Sequence, residues 1–279
     1  MTAIALALGT ALCYGVSNFI GPLISRELPT MTVIIAGQTV AFAVSAIVVV
    51  AHGSDAPGLA AVGAGLLAGA GNAGGLALFY TAAATGPLSI ITPIGATGAI
   101  VPVLVGIATG DRLGVLGALG IVLAIGGVAL AGRRVGGTAA EVADMRRTVL
   151  LSALSAVCFG VFLWGISPAS EDGVFWGVMF SRLSLLTLLV GGALLTRQAL
   201  VVPAAAVPKV ALPGVLLFGG TLLYAAATQE GLLSVVSVIA TLFPVVTVTL
   251  ALLLLHERLS RVQWAGVGAA LAGVVLLSV

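Results

Sequence analysis

Ala11-Leu12-Cys13-Tyr14-Gly15-Val16 returns later in the chain as Ala156-Val157-Cys158-Phe159-Gly160-Val161, with the cysteines 145 positions apart (158 − 13). Gly86-Pro87-Leu88-Ser89 returns as Gly231-Leu232-Leu233-Ser234 at the same offset. Asp111-Arg112-Leu113 returns as Glu257-Arg258-Leu259, one position slipped (257 − 111 = 146). Beyond that junction Gly120, Gly127, Val128 and Leu130 match Gly266, Gly273, Val274 and Leu276. Preserved order, a near-constant offset and a charged junction point to a duplicated unit rather than chance likeness between Ala/Leu/Gly-rich segments.

The medium around this duplicated unit follows from composition. Of 279 residues, 60% are hydrophobic and 7% charged, with a mean hydropathy of +1.27. A water-soluble domain carries about 25% charged residues to wet its surface, so lipid is the solvent for most of this chain. The 38 glycines follow no collagen period. Gly65/Gly69, Gly71/Gly75 and Gly106/Gly110 form GxxxG pairs, which let membrane helices approach closely. A net charge of +2 offers no basic field to nucleic acid. Cys13 and Cys158 lie in apolar runs and read as packing residues rather than disulfide partners. A charged n-region is missing and hydrophobicity begins at Thr2, so the first helix is expected to stay as an anchor. There is no Walker A motif, HExxH or Cys/His cluster, and His52 and His256 fall at predicted helix ends. Neither an enzyme nor a cofactor is expected.

Apolar stretches near the roughly 20 residues that cross a bilayer fall at 2–24, 31–51, 58–84, 87–109, 114–132, 148–167, 174–196, 208–228, 232–255 and 260–278. Charges cluster at the joins, and a polar loop from Arg133 to Arg147 divides the chain nearly in half. The expected fold is all-α: a polytopic membrane protein with ten transmembrane helices. Residues 1–132 and 148–279 form the repeats, and 133–147 connect them. Two five-helix units in series must cross the membrane in opposite senses. The repeats are therefore inverted, an architecture that places a substrate site at the midplane between the halves.

The doubled aromatic-Gly, the acidic-Arg-Leu junctions and the five-plus-five layout resemble the EamA-type transporters of the drug/metabolite transporter superfamily. The correspondence covers Tyr14-Gly15 and Phe159-Gly160, then Gly110-Asp111-Arg112-Leu113 and His256-Glu257-Arg258-Leu259. An arginine of the second and seventh helices is kept as Arg182 but reads Gln38 in the first half. The resemblance implies a secondary transporter in the cell membrane. It would export or exchange small metabolites, amino acids or drugs by alternating access through a central cavity. The expected partners are a small-molecule substrate and the lipid bilayer, with the protein a monomer or homodimer. A non-transporting scaffold or partner subunit is the alternative, and a solidly packed centre between helices 1, 3, 4 and 6, 8, 9 would favour it. On the ten-helix map, Arg26, Arg133, Arg134, Arg146, Arg147, Arg197, Lys209, Arg258 and Arg261 share the side opposite the termini. The positive-inside rule then puts both termini outside, whereas the resemblance implies a cytoplasmic location.

Candidate substrate contacts follow from polar groups inside the spans. Ser234, Ser237 and Thr241 form one stripe ahead of Pro244, matched in the first half by Ser89 and Thr92 beside Pro93. Tyr14, Ser17, Asn18 and Gly21 share a face of the first helix, and the equivalents Phe159, Phe162, Leu163 and Ile166 are apolar. One polar wall facing one aromatic wall suits an amphipathic molecule. Asn72, Tyr80, Thr221, Tyr224 and Thr228 add polar groups on the third and eighth helices, and Trp164 an aromatic on the sixth. Arg182, deep in its helix, reads either as an anchor for an anionic or zwitterionic substrate or as the partner of a junction acid such as Glu230. Glu257 and Asp111 read as structural charges at the headgroups, and Ser260 with Gln263 as a capping box. No carboxylate falls mid-span, so transport is expected to be facilitated, exchange-type, or coupled through junction acids.

Overall fold

The computed structural model describes residues 2–53, 55–108, 114–131, 139–197, 200, 202–231, 236, 239–257 and 259–276. Among them the regular structure is entirely helical. The α-helices are α1 (Thr2–Ile24), α2 (Thr30–His52), α3 (Leu59–Thr85), α4 (Leu88–Ala96), α5 (Ile100–Ala108), α6 (Val115–Ala131), α7 (Ala139–Ala169), α8 (Val174–Leu195), α9 (Val207–Glu230), α10 (Phe243–Leu254) and α11 (Arg261–Leu276). Six of them are long and apolar enough to cross a membrane, namely α1, α2, α3, α7, α8 and α9. The other predicted spans are shorter apolar helices, and the fourth is broken where α4 passes through a 3₁₀ turn (Thr97–Ala99) into α5.

Local chemistry explains the ends and breaks. Pro93 removes a backbone donor inside α4, and the chain tightens to 3₁₀ geometry a turn later. In the second half Pro244 opens α10 after a turn at residues 241–242. Gly53 ends α2 in the left-handed region at φ 64°, and its N–H bonds the Val49 carbonyl. The expected capping box is present: Ser260 N donates to Gln263 Oε1 (3.0 Å) and Gln263 N to Ser260 Oγ (3.3 Å). The expected loop at 133–147 is shorter than composition suggested, because α7 already begins at Ala139. Its first turns hold Ala, Glu, Met and Arg, which are polar overall yet good helix formers.

Polarity is arranged from the inside out. Val50, Leu59, Val115 and Leu195 are at least 78% exposed, whereas Ser17, Gln38, Ser89, Thr92, Ser155, Arg182 and Thr221 are buried. An apolar exterior around a hydrogen-bonded interior is what a lipid-immersed bundle requires. The chain is therefore a multi-pass membrane protein.

Most of the tight packing joins residues from opposite halves of the sequence. α3 packs on α7 and α8, α1 on α9 and α10, α2 on α8 and α9, and α6 on α11. Several of these contacts occur twice. Thr10 Oγ1 donates to the Gly220 carbonyl (3.2 Å) and Ser155 Oγ to the Gly75 carbonyl (2.9 Å), each position shifted by 145 (155 − 10 and 220 − 75). A Cβ on Gly75 would lie 2.5 Å from the Phe159 ring, and one on Gly220 would lie 2.6 Å from the Tyr14 ring. Gly160 is pressed against Val101 and the Gly98 carbonyl, and Gly15 against Val246 and the Phe243 carbonyl. Small residues at these points let the backbones meet.

Candidate functional site

A partly open cavity, whose roughly 560 Å³ of atom-free space includes open solvent, lies where the mid-regions of α1, α3, α7 and α9 meet the two broken spans. Most of its lining falls into pairs 145 residues apart: Tyr14 with Phe159, Asn18 with Leu163, and Asn72 with Leu217. Leu76 pairs with Thr221 in the same way, Gly95 with Ala240, and Ala96 with Thr241. Phe162 and Phe243 complete it. Both span breaks open onto this space, at Gly95–Ala96 just before the 3₁₀ turn and at Thr241 just before α10.

Each of the first four pairs joins a polar residue to an apolar one. Tyr14 packs edge-on against Phe243, with centroids 6.3 Å apart, and its hydroxyl lies 3.1 Å from Thr221 Oγ1. Thr221 donates its own proton to the Leu217 carbonyl (2.8 Å). A hydroxyl has one proton, so the Thr221 oxygen accepts from Tyr14, and it also accepts from Arg182 Nη2. Arg182 is fully buried behind this wall. Its Nη1 donates to Gln38 Oε1 (2.8 Å) and its Nη2 also to the Leu217 carbonyl (2.8 Å). Gln38 and Arg182, which the family resemblance sets at equivalent points of the two halves, thus meet directly. The expected alternative partner, Glu230, is exposed at the end of α9 and makes no hydrogen bond to Arg182. Asn18 is 5% exposed and its Oδ1 has no partner.

Of the residues named from sequence, Tyr14, Asn18, Asn72, Phe159, Phe162, Leu163, Thr221 and Thr241 line the cavity, with Gln38 and Arg182 behind it. The others lie elsewhere. Ser17 Oγ donates to the Pro213 carbonyl (2.9 Å) and ties α1 to α9. Tyr80 is buried against Gly21, where it leaves no room for a side chain. Tyr224 is fully buried in an apolar cluster with Ala7, Ala227 and Val236. Thr92 and Thr228 donate back to carbonyls of their own helices, Leu88 (2.8 Å) and Ala225 (2.8 Å). Trp164 is half-buried outside the lining. Ser234 and Ser237 lie outside the described residues.

Ser89 has a different partner altogether. Its hydroxyl donates to Glu257 Oε2 (2.5 Å), and so does its N–H (3.0 Å), while Leu88 N donates to Oε1 (3.1 Å). Glu257 therefore caps the start of α4 across the two halves, instead of meeting headgroups as its junction position suggested. Free N–H groups and the positive helix end make this a good carboxylate site.

The sequence reading missed Leu76, Gly95, Ala96, Leu217, Ala240 and Phe243. A search for polar groups passes over them. Adding or subtracting 145 finds three from residues already singled out: Asn72 leads to Leu217, Thr221 to Leu76 and Thr241 to Ala96.

Residues 146–279 match the EamA-like transporter family. Twelve solved chains match the structure. One, titled only "Crystal structure of protein", aligns with a TM-score of 0.67 at 15% identity, over 99% of this chain and 97% of its own. At that identity the likeness concerns the fold alone. No curated protein matches the chain.

Proposed function

We propose that this chain, whose residues 146–279 belong to the EamA-like transporter family, is a secondary transporter of small organic molecules. It exports or exchanges metabolites, amino acids or drugs across the cell membrane by alternating access, without catalysing a reaction. The observation that carries this reading is the pairing of cavity residues at a 145-residue offset. A cavity made of corresponding positions lies on the axis between two inverted five-helix repeats, where such folds bind substrate. The helix contacts agree, because exchanging α1 with α7 and α3 with α9 turns the α1–α9 contact into the α7–α3 contact. Breaks in the fourth span of each half place backbone beside the cavity, as in transporters whose discontinuous helices form the site.

The Glu257 cap on α4 ties the halves on the side opposite the termini. The two halves then rock about the centre, and that tie breaks when the opposite side closes. All acidic residues lie at or near helix ends, which favours exchange over a mid-membrane proton relay. A scaffold would have no use for a cavity at the meeting point of six helical segments.

Counterflow into proteoliposomes tests this. Vesicles preloaded with mixtures of amino acids, nucleobases and amphipathic drugs are expected to accumulate a labelled member above protein-free controls. Ala96→Phe, which fills the cavity, should abolish the uptake while leaving the protein monodisperse in detergent. Undiminished uptake by a folded Ala96→Phe protein would remove the cavity from the pathway.

A further inference from the structure

The Arg182 guanidinium is fully buried, and among the described residues every group bonded to it is neutral: Gln38 Oε1, the Leu217 carbonyl and Thr221 Oγ1. Its Nε has no hydrogen-bond partner among the described residues. A buried cation without an opposite charge is costly, and it persists where a partner or water supplies compensation. Inside the protein the natural place for that partner is filled by an amide, since Gln38 stands where a glutamate would neutralise the charge. The field of the cation is therefore not cancelled locally. Its reach is toward the cavity, because Thr221 accepts from Arg182 on one side and from Tyr14 on the other, and both Thr221 and Tyr14 line the cavity. One layer of side chains, Thr221 and Tyr14, separates the charge from a bound molecule, and screening inside a protein is weaker than in water. Asn18 and Asn72 line the same space and carry amide N–H donors. Phe159, Phe162 and Leu163 offer an apolar surface on α7.

We propose that the cavity selects organic anions with an apolar or aromatic body, the substrate supplying the counter-charge that Arg182 lacks. This rests on the transport reading only in naming the bound molecule a substrate, because the selectivity is a property of binding. The cation acts through Thr221 and through its field, so Arg182 is a positioning and selectivity residue behind the wall.

The test uses three probes of nearly one shape and different charge: 3-phenylpropionate, 3-phenylpropionamide and 3-phenylpropylamine. Binding is measured by equilibrium dialysis on the purified protein in detergent, and transport by counterflow in proteoliposomes. The wild type is expected to bind the anion at least about tenfold more tightly than the amine, the size expected for a poorly screened charge at one side-chain remove. Gln38→Glu keeps the shape and gives Arg182 an internal counter-ion, so the preference should vanish. Arg182→Lys should retain the preference and Arg182→Met should lose it, which covers the case of a Gln38→Glu protein that does not fold. Equal or tighter binding of the amine by the wild type overturns the proposal. So does a tenfold preference that survives in folded Gln38→Glu, and so does failure of all three probes to bind. Anion-selective binding without counterflow leaves this proposal standing and sinks the transport reading. Counterflow of all three probes at equal rates does the reverse.

Discussion

Tyr14, Asn18 and Asn72 in the first half face the cavity at the positions that Phe159, Leu163 and Leu217 occupy in the second, and at 76/221 the polar residue, Thr221, belongs to the second half. The corresponding backbone contacts show the opposite behaviour. Gly75 and Gly220 each receive an aromatic ring, and Thr10 and Ser155 each bond a glycine carbonyl in the other half. Packing contacts tolerate little change, because an added methyl at such a site meets another atom at once. A residue facing a cavity has no such neighbour and can diverge. Positions 145 apart thus share their packing contacts, while those at the cavity are polar in one member of the pair and apolar in the other.

The largest effect separates the halves by direction. The loop carrying Glu27 corresponds to the loop carrying Asp172 (172 − 27 = 145), and inverted repeats put the two on opposite membrane faces. In a background with Cys13 and Cys158 replaced by serine, Glu27→Cys and Glu171→Cys should react with an impermeant maleimide from opposite sides. Reaction of both from one side would break the inverted arrangement. The same experiment locates the termini, which the charge bias puts outside and the family resemblance puts in the cytoplasm.

Next comes the tie between the halves. Glu257→Ala removes a carboxylate bonded to two N–H groups and a hydroxyl. It should cost about 1.5–3 kcal/mol, the range for charge-assisted hydrogen bonds, read as a lower midpoint of thermal unfolding in detergent. Ser89→Ala removes one of those donors and should cost less. An Ser89→Ala protein as unstable as Glu257→Ala would mean that the N–H bonds contribute nothing.

The paired glycines sharpen the comparison. A Cβ at Gly160 would meet the Gly98 carbonyl at 2.4 Å, whereas the nearest atoms at Gly15 belong to the Val246 side chain, at 2.5 Å, with the Phe243 carbonyl at 2.9 Å. Gly160→Ala is therefore expected to lose more stability than Gly15→Ala, both near about 1–3 kcal/mol for overpacking. Equal midpoints would show that backbone and side-chain neighbours yield alike.

The smallest effect concerns one hydroxyl. Tyr14→Phe deletes the donor to Thr221 and should cost about 0.5–1.5 kcal/mol. Phe159→Tyr places a hydroxyl on the apolar wall without an assigned partner. If wall polarity sets specificity, Phe159→Tyr should alter the ranking of transported compounds, and an unchanged ranking would count against that role.

Much of the scaffold was legible before any coordinates. Composition pointed to lipid as solvent, the recurrence of Ala11–Val16 at Ala156–Val161 exposed the 145-residue offset, and Ser260 with Gln263 announced its capping box, because each is a local or statistical property of the chain. Arg182 was singled out for the same reason, a charge where the surroundings are apolar. Its partners were not legible. Gln38 lies 144 residues away and the Leu217 carbonyl carries no sequence signature. Among the serines and threonines, the sequence could not separate those packed away from the cavity, such as Thr92, from those that line it, such as Thr221, since both donate to a carbonyl of their own helix. A hydroxyl can satisfy itself within one turn or across helices at similar cost. Glu257 had the same ambiguity between headgroups and a helix end.

The sequence by itself determined a membrane-spanning helical bundle, its halving and the residue offset that relates the halves. Only the tertiary structure decided which of the corresponding positions converge on one cavity, and that Arg182 stands behind its wall with neutral partners. The physical reason is that hydropathy and repeats depend on what each residue is. A site depends on which atoms are left unpaired once helices far apart in the chain have packed.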